Sequence, residues 1–146
     1  MKILNIIKIG GTVLENPVER DYFLDEFVQL TGHKILVHGG GIIASGYLEK
    51  LGIPVRMQNG RRITYISTLE VIIMIYAGLL NKTLVGALFA RNCPSFGLCG
   101  ADAGILLAKK RDTSRTDFGY VGDLIFVDRQ KLKNCWMTGW CQFLPH

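Results

Sequence analysis

Two short stretches, Lys8-Ile9-Gly10-Gly11 and His38-Gly39-Gly40-Gly41, hold the residues best suited to chemistry. Each closes an apolar run, Asn5-Ile6-Ile7 in the first case and Ile35-Leu36-Val37 in the second, and the second leads straight into Ile42-Ile43-Ala44. Strand, glycine turn and helix in that order make an anion-binding design. Glycines let the backbone approach a ligand, and the helix beyond aims unpaired N–H groups and the positive end of its dipole at whatever sits there. Two such strand ends side by side could hold one phosphorylated ligand.

Lys8 stands near the end of a strand that reads as buried, where an ammonium is costly unless an anion meets it. The competing reading is a lysine that snorkels to the edge of a sheet. His38, beside glycines, reads as a structural hydrogen-bonder, so ligand contacts in its stretch are expected from backbone N–H groups. No glycine is followed by Lys-Ser or Lys-Thr at Walker A spacing. Gly39-x-Gly41-x-x-Ala44 fits a dinucleotide fingerprint, but roughly 20 residues on, where that motif wants an acidic residue, stand Gln58, Asn59 and Arg61.

The elements that must position these residues follow from hydrophobic spacing. Lys2 to Ile9 predicts a buried strand. Asn16-Pro17 breaks the chain, and Tyr22, Phe23, Phe27 and Leu30 recur at helical spacing over 18–30, with Gly32 placed to cap the end. The strand Ile35-Leu36-Val37 completes a βαβ unit, which makes the two strands parallel and puts both glycine turns on one sheet edge. A helix from near Ile42 closes at Gly52. Val55 to Thr64, split by Asn59-Gly60, predicts a hairpin with Arg61 and Arg62 on its returning strand.

Ser67-Thr68-Leu69-Glu70 fits a capping box for a helix to about Ala90. Leu69, Ile72, Ile73, Tyr76, Leu79, Leu80, Leu84 and Leu88 leave it little polar surface, so it crosses the core or meets another subunit. Phe96-Gly97-Leu98 predicts a strand, and Ile105 to Ala108 with Leu124 to Val127 an antiparallel ribbon at one end of the sheet. The expected fold class is α/β, a mainly parallel sheet between helices, with a β-hairpin and an antiparallel ribbon.

Composition narrows the function classes. The chain has 146 residues, is 49% hydrophobic and carries a formal charge of +5, which suits one globular domain. Its Lys and Arg residues are scattered, so no nucleic-acid partner is expected, whereas small anions fit. Met1 to Ile9 is too short for a signal peptide, and the apolar segment Leu69 to Leu80 is short of the ~20 residues of a membrane span. A cytoplasmic location and no membrane are expected. Cys93, Cys99, Cys135 and Cys141 show no metal-site spacing and read as reduced thiols, and no metal ligands are assigned.

Further motifs add a resemblance. Ile7-Lys8-Ile9-Gly10-Gly11, Val37-His38-Gly39-Gly40-Gly41, Asn59-Gly60-Arg61-Arg62-Ile63-Thr64 and Ala77-Gly78-Leu79-Leu80-Asn81-Lys82, in this order, resemble the acetylglutamate kinases of the amino acid kinase family. Gly97-Leu98-Cys99-Gly100-Ala101-Asp102 and Phe118-Gly119-Tyr120-Val121-Gly122-Asp123 extend the likeness to about Lys133. The resemblance implies transfer of the γ-phosphoryl of ATP, with Mg²⁺, to the side-chain carboxylate of N-acetyl-L-glutamate, or a related N-acyl glutamate, in arginine biosynthesis. It implies that Lys8 stabilises the transferring phosphoryl group, that Gly10 and Gly11 offer it N–H groups, that Gly40 and Gly41 hold the acceptor, and that Arg62 pairs with the acceptor's α-carboxylate.

Two departures stand out. Tyr65 occupies a position where the family usually has an acidic residue, and nothing here matches the family's second half, with its nucleotide pocket, catalytic Asp and second catalytic lysine. Residues Asn134 to Gln142 require the codons AAY TGY TGG ATG ACN GGN TGG TGY CAR. Read from the third base, these give Leu-Leu-Asp-Asp, an allowed Gly, then Met, Val or Leu, then Val and Pro or Ser, close to the family's continuation at this point. The expectation is a frameshift near Lys133, which divides the chain into an acceptor-binding part (1–133) and an out-of-frame tail (134–146). A chain so truncated is expected to be inactive alone, and a homodimer through the helix 67–90 is expected. The rival reading is a non-catalytic module for small-anion binding or dimerisation.

Overall fold

In the computed structural model, which describes residues 3–135 and the backbone of 136–137 and 141–145, the predicted βαβ unit is present. Strand β1 (Leu4–Ile9) leads through the short helix α1 (Gly11–Glu15) into α2 (Pro17–Gln29) and back to β2 (His33–His38). Lys2 lies outside the described residues. Asn16 does more than break the chain. Its side chain accepts from the N–H groups of Val18 and Glu19, and Pro17 takes the first helical position, where its missing N–H costs nothing. Leu30, not Gly32, is the C-cap of α2. Of the predicted helix face, Phe27 is buried, whereas Tyr22 is exposed.

β1 and β2 are parallel, with Ile9 opposite His38, so the two glycine turns leave the sheet side by side. The backbone of β8 (Cys141–Pro145) pairs in parallel with β2 on one side and with β5 (Ser95–Gly97) on the other, which gives the order β1-β2-β8-β5. β1 is thus an edge strand. Its residues alternate, with Asn5, Ile7 and Ile9 turned inward while Leu4, Ile6 and Lys8 are exposed.

After β2, α3 (Gly41–Lys50) is followed by the hairpin β3 (Met57–Gln58) and β4 (Arg61–Arg62). Asn59 at φ 50° and Gly60 at φ 74° supply two successive left-handed residues, as the tight antiparallel turn requires. The long apolar helix is continuous but not uniform. It consists of α4 (Ile66–Ile73), a π-helical segment Met74–Leu80 and α5 (Asn81–Phe89). The expected capping box does not form. Tyr65 is the N-cap and no side chain caps the helix, because Thr64 is already held by the loop beyond, Thr64 N–H to Phe118 O at 2.9 Å and Tyr120 N–H to Thr64 O at 2.7 Å. The chain therefore enters the helix extended and puts Ser67 inside the first turn.

Two cores result. Ile9, Leu14, Leu24, Phe27, Leu36, Leu84 and Leu88 join the sheet to α2 and α5, and Ala44, Leu48, Val71, Ile75 and Leu80 join α3 to the long helix. Arg91 fastens the end of α5 to α2 through Asp25, Nε to Oδ1 at 2.6 Å. The predicted ribbon forms as β6 (Leu106–Lys110) and β7 (Gly122–Val127), a separate two-stranded sheet, and α6 (Arg129–Met137) follows. The helix Ile66–Phe89 has 24 residues, so by length and composition it could cross a membrane, contrary to the shorter span expected from Leu69 to Leu80. One side of it forms the second core, while Ile66, Ile73, Met74, Leu79 and Phe89 are exposed.

Candidate functional site

The turn His38-Gly39-Gly40-Gly41 rests on the π-helical segment. A Cβ on Gly40 would stand 2.3 Å from Leu80 Cδ1 and 3.2 Å from Tyr76 Cε1, so only glycine lets the turn sit this low. Gly39 and Gly41 face more open space. A Cβ on Gly39 would meet nothing within 4 Å, and one on Gly41 only the Tyr76 hydroxyl at 3.7 Å. A Cβ on Gly10 or Gly11 would come no closer than 3.9 Å to Thr12 or Ile42, so both turns leave room for a ligand. Ile42 lies beside the Gly10-Gly11 turn, which puts that turn next to the first turn of α3.

Arg62, carried on β4, reaches across to this same place. Its Nη2 donates to Gly41 O at 3.0 Å and to Ser45 Oγ at 2.8 Å, and Ser45 Oγ itself donates to Gly41 O at 2.9 Å. Arg62 Nη1 is buried with no hydrogen-bond partner, and a buried charged donor left unpaired costs several times an ordinary hydrogen bond. The guanidinium is thus anchored at one nitrogen and unsatisfied at the other, an arrangement a carboxylate would complete. Of the predicted residues, Gly40, Gly41 and Arg62 come together directly, and Gly10 and Gly11 lie alongside.

For Lys8 the geometry matches the second of the two readings: β1 is an edge strand and not the buried strand expected over Lys2 to Ile9, and Lys8 is exposed on it. Burial of a strand depends on what pairs beside it, which a run of Ile and Leu does not encode. His38 is fully buried, with Nδ1 3.0 Å from Gly39 O, so Nδ1 carries the proton and donates; burial lowers its pKa and keeps the ring neutral. That is the structural role expected of it.

Sequence reasoning missed Ser45 and took Tyr76 for part of an apolar stripe. Ser45 stands one helical turn after Gly41, the spacing at which a side chain covers the first turn, and that spacing was the available signal. Tyr65, which departs from the family pattern, places its hydroxyl 3.4 Å from Arg56 Nη1, with the guanidinium over its ring. A cavity of about 640 Å³ opens elsewhere, between the start of α4 and the ribbon, lined by Tyr65, Leu69, Lys109, Lys110 and Tyr120. Its lining includes none of the predicted site residues.

Residues 4–140 match the model of the amino acid kinase family. The chain belongs to that family. Curated relatives within it include the acetylglutamate kinase of Bacteroides fragilis, 43% identical over 131 residues, and that of Cytophaga hutchinsonii, 45% identical over 133 residues. Each match covers 90% of this chain and 50% of the relative, so the chain spans about half the length of these amino acid kinases. The acetylglutamate kinase of Methanopyrus kandleri is 36% identical over 94% of this chain and 54% of its own.

Among solved structures, smu.665 from Streptococcus mutans UA159 superposes with a TM-score of 0.80 at 22% identity, over 99% of this chain and 59% of that one. N-acetylglutamate synthase from Neisseria gonorrhoeae, complexed with coenzyme A and N-acetyl-glutamate, gives 0.77 at 21% identity, over 97% and 33%. At these identities the likeness shows the fold, which is the α/β architecture expected from the sequence.

Proposed function

We propose that this chain is the acceptor-binding half of an acetylglutamate kinase, the part that holds N-acetyl-L-glutamate for phosphorylation of its side-chain carboxylate by ATP. The reading rests above all on the half-anchored Arg62 at Gly41 and Ser45, with Nη1 buried and unpaired, and it is supported by relatives that carry the kinase's name. In it, Arg62 pairs with the α-carboxylate and Gly40 and Gly41 take the other end of the acceptor. Lys8, Gly10 and Gly11 face the phosphoryl group on its way across. Mg²⁺ would arrive with ATP, held chiefly by its phosphates; among the described residues no group of three or more His, Cys, Asp or Glu side chains could hold a metal ion.

Isothermal calorimetry with N-acetyl-L-glutamate tests the site. Binding by the 146-residue chain, lost at least tenfold in Arg62→Ala, is the expected result. A well-folded chain that binds no N-acetylglutamate, or binds equally well without Arg62, refutes the assignment and leaves the rival, a dimerisation or small-anion module.

The chain alone is proposed to bind without turning over, since phosphoryl transfer depends on positioning both reactants together. ADP formation dependent on N-acetylglutamate, at a rate comparable to a complete enzyme, would overturn this. We place the chain in the cytoplasm, as a homodimer packed through the exposed side of the helix Ile66–Phe89. We also propose that residues 134–146 are read out of frame from a gene whose correct frame continues the kinase. DNA sequence across the Lys133 codon decides it: a single inserted or deleted base supports the proposal, and an unchanged frame ends it.

A further inference from the structure

The acceptor site has a neighbour that neither the glycine motifs nor the Arg62 assignment uses. Tyr76 comes from the π-helical segment and lies under the glycine turn, its ring edge against Gly40 and its hydroxyl 3.7 Å from where a Cβ of Gly41 would stand. It is the polar tip of an otherwise apolar stretch, Met74-Ile75-Tyr76-Ala77. Its hydroxyl makes no hydrogen bond to any described residue, whereas the neighbouring hydroxyl of Ser45 bonds both Gly41 and Arg62. Tyr76 lies within electrostatic reach of Arg62, so an unused hydroxyl and the unpaired Arg62 Nη1 sit at one turn. A π-helical segment places side chains where a regular helix would not, and such segments recur at functional sites.

We propose that Tyr76 is a specificity-determining residue of the acceptor site, its hydroxyl donating to the same α-carboxylate that Arg62 holds. The inference rests on the reading of this site as the N-acetylglutamate site. A carboxylate clamped by one guanidinium nitrogen has oxygen lone pairs to spare, and a phenol beside it adds a charge-assisted hydrogen bond. Burial raises the tyrosine pKa more than Arg62 lowers it, so the hydroxyl keeps its proton and stays a donor through the neutral range. The selection that results is for N-acyl glutamate over its analogue without the α-carboxylate, because only the former brings the second carboxylate.

The test compares two ligands, N-acetyl-L-glutamate and N-acetyl-γ-aminobutyrate, which differs only in lacking the α-carboxylate, against the unsubstituted chain, Tyr76→Phe and Arg62→Ala. Phenylalanine keeps the ring against Gly40, so the fold is retained and thermal unfolding should be unchanged. Tyr76→Phe is expected to weaken N-acetylglutamate about tenfold, the scale of a hydrogen bond to a charged group, and to leave N-acetyl-γ-aminobutyrate unchanged. Equal weakening of both ligands marks a merely structural tyrosine and overturns the proposal, as does no weakening of either. In those cases loss of N-acetylglutamate binding in Arg62→Ala still upholds the site. An unsubstituted chain that binds neither ligand overturns site and tyrosine together. In ¹³C-tyrosine spectra the Tyr76 ring carbon bearing the hydroxyl should shift with N-acetylglutamate and not with N-acetyl-γ-aminobutyrate, and the same shift with both ligands counts against the proposal.

Discussion

Gly40→Ala is the substitution whose cost the geometry specifies most closely. The new methyl carbon would stand 2.3 Å from Leu80 Cδ1 and 3.2 Å from Tyr76 Cε1, far inside the 3.5–4.0 Å at which carbon atoms rest. Leu80 could rotate away in an open place, but it is buried in the cluster with Ala44, Leu48, Val71 and Ile75, and Tyr76 closes the other side. Overpacking of this kind costs ~1–3 kcal/mol. Gly39→Ala is the control, because its methyl would meet nothing within 4 Å, and it should change stability by less than ~0.5 kcal/mol.

Leu80→Ala alone leaves a cavity and should cost ~2–5 kcal/mol. Combined with Gly40→Ala it frees the space the new methyl needs, so the double variant should be more stable than the sum of the single losses, by ~1–3 kcal/mol. Urea unfolding of the four proteins measures the cycle, and calorimetry on Gly40→Ala should show weakened N-acetylglutamate binding as the turn carrying Gly41 is lifted. Strict additivity within ~0.5 kcal/mol would falsify the account in which the turn's height is set by Leu80 and Tyr76.

Two further outcomes are expected. His38 is held neutral by burial, its pKa below the usual 6.5, while the unfolded chain protonates it normally; the unfolded state therefore binds more protons, and stability present above pH 6.5 is lost as pH falls toward the lowered value. The unfolding free energy should decline below pH 6.5 with a slope of at most about 1.4 kcal/mol per pH unit from this group. His38→Asn, whose amide can keep the bond to Gly39 O, should remove that component, and an identical pH profile in the variant would exclude His38 as its source. Light scattering should give the mass of a dimer for the chain and of a monomer for Ile73→Glu, placed on the exposed side of the long helix; a monomeric parent rules out the proposed pairing.

How much could be read in advance depended on whether the deciding physics was local. The hairpin was legible because Asn59-Gly60 satisfies two successive left-handed conformations by residue type alone. The parallel pairing of β1 and β2 was legible because the helix between them leaves few topologies open. Arg62 was assigned by resemblance, and its meeting with Gly41 across the hairpin is a tertiary contact that no local pattern encodes. The capping box failed for a non-local reason too, since the Phe118 to Tyr120 loop fixes Thr64 and sets where the helix begins. The π-helical register of Met74–Leu80 has no signal in residue type, and it decides that Tyr76 lies under the glycine turn.

The exposure of Lys8, set against the burial of Arg62, separates the two tasks proposed for this site, holding the acceptor and stabilising the phosphoryl group. An exposed ammonium attracts an anion at 4 Å by about 1 kcal/mol in water, against ~4 kcal/mol where the surroundings behave as a medium of dielectric constant 20. Lys8, on the open side of an edge strand, is in the first regime. Arg62, anchored at Nη2 and buried at Nη1, is in the second. On the proposed reading, the hairpin thus carries a cation prepared to hold a carboxylate, and β1 carries one not placed to stabilise a phosphoryl group. If the proposed roles hold, acceptor affinity should survive in this chain, dependent on Arg62, while Lys8 as exposed here should contribute little to the rate.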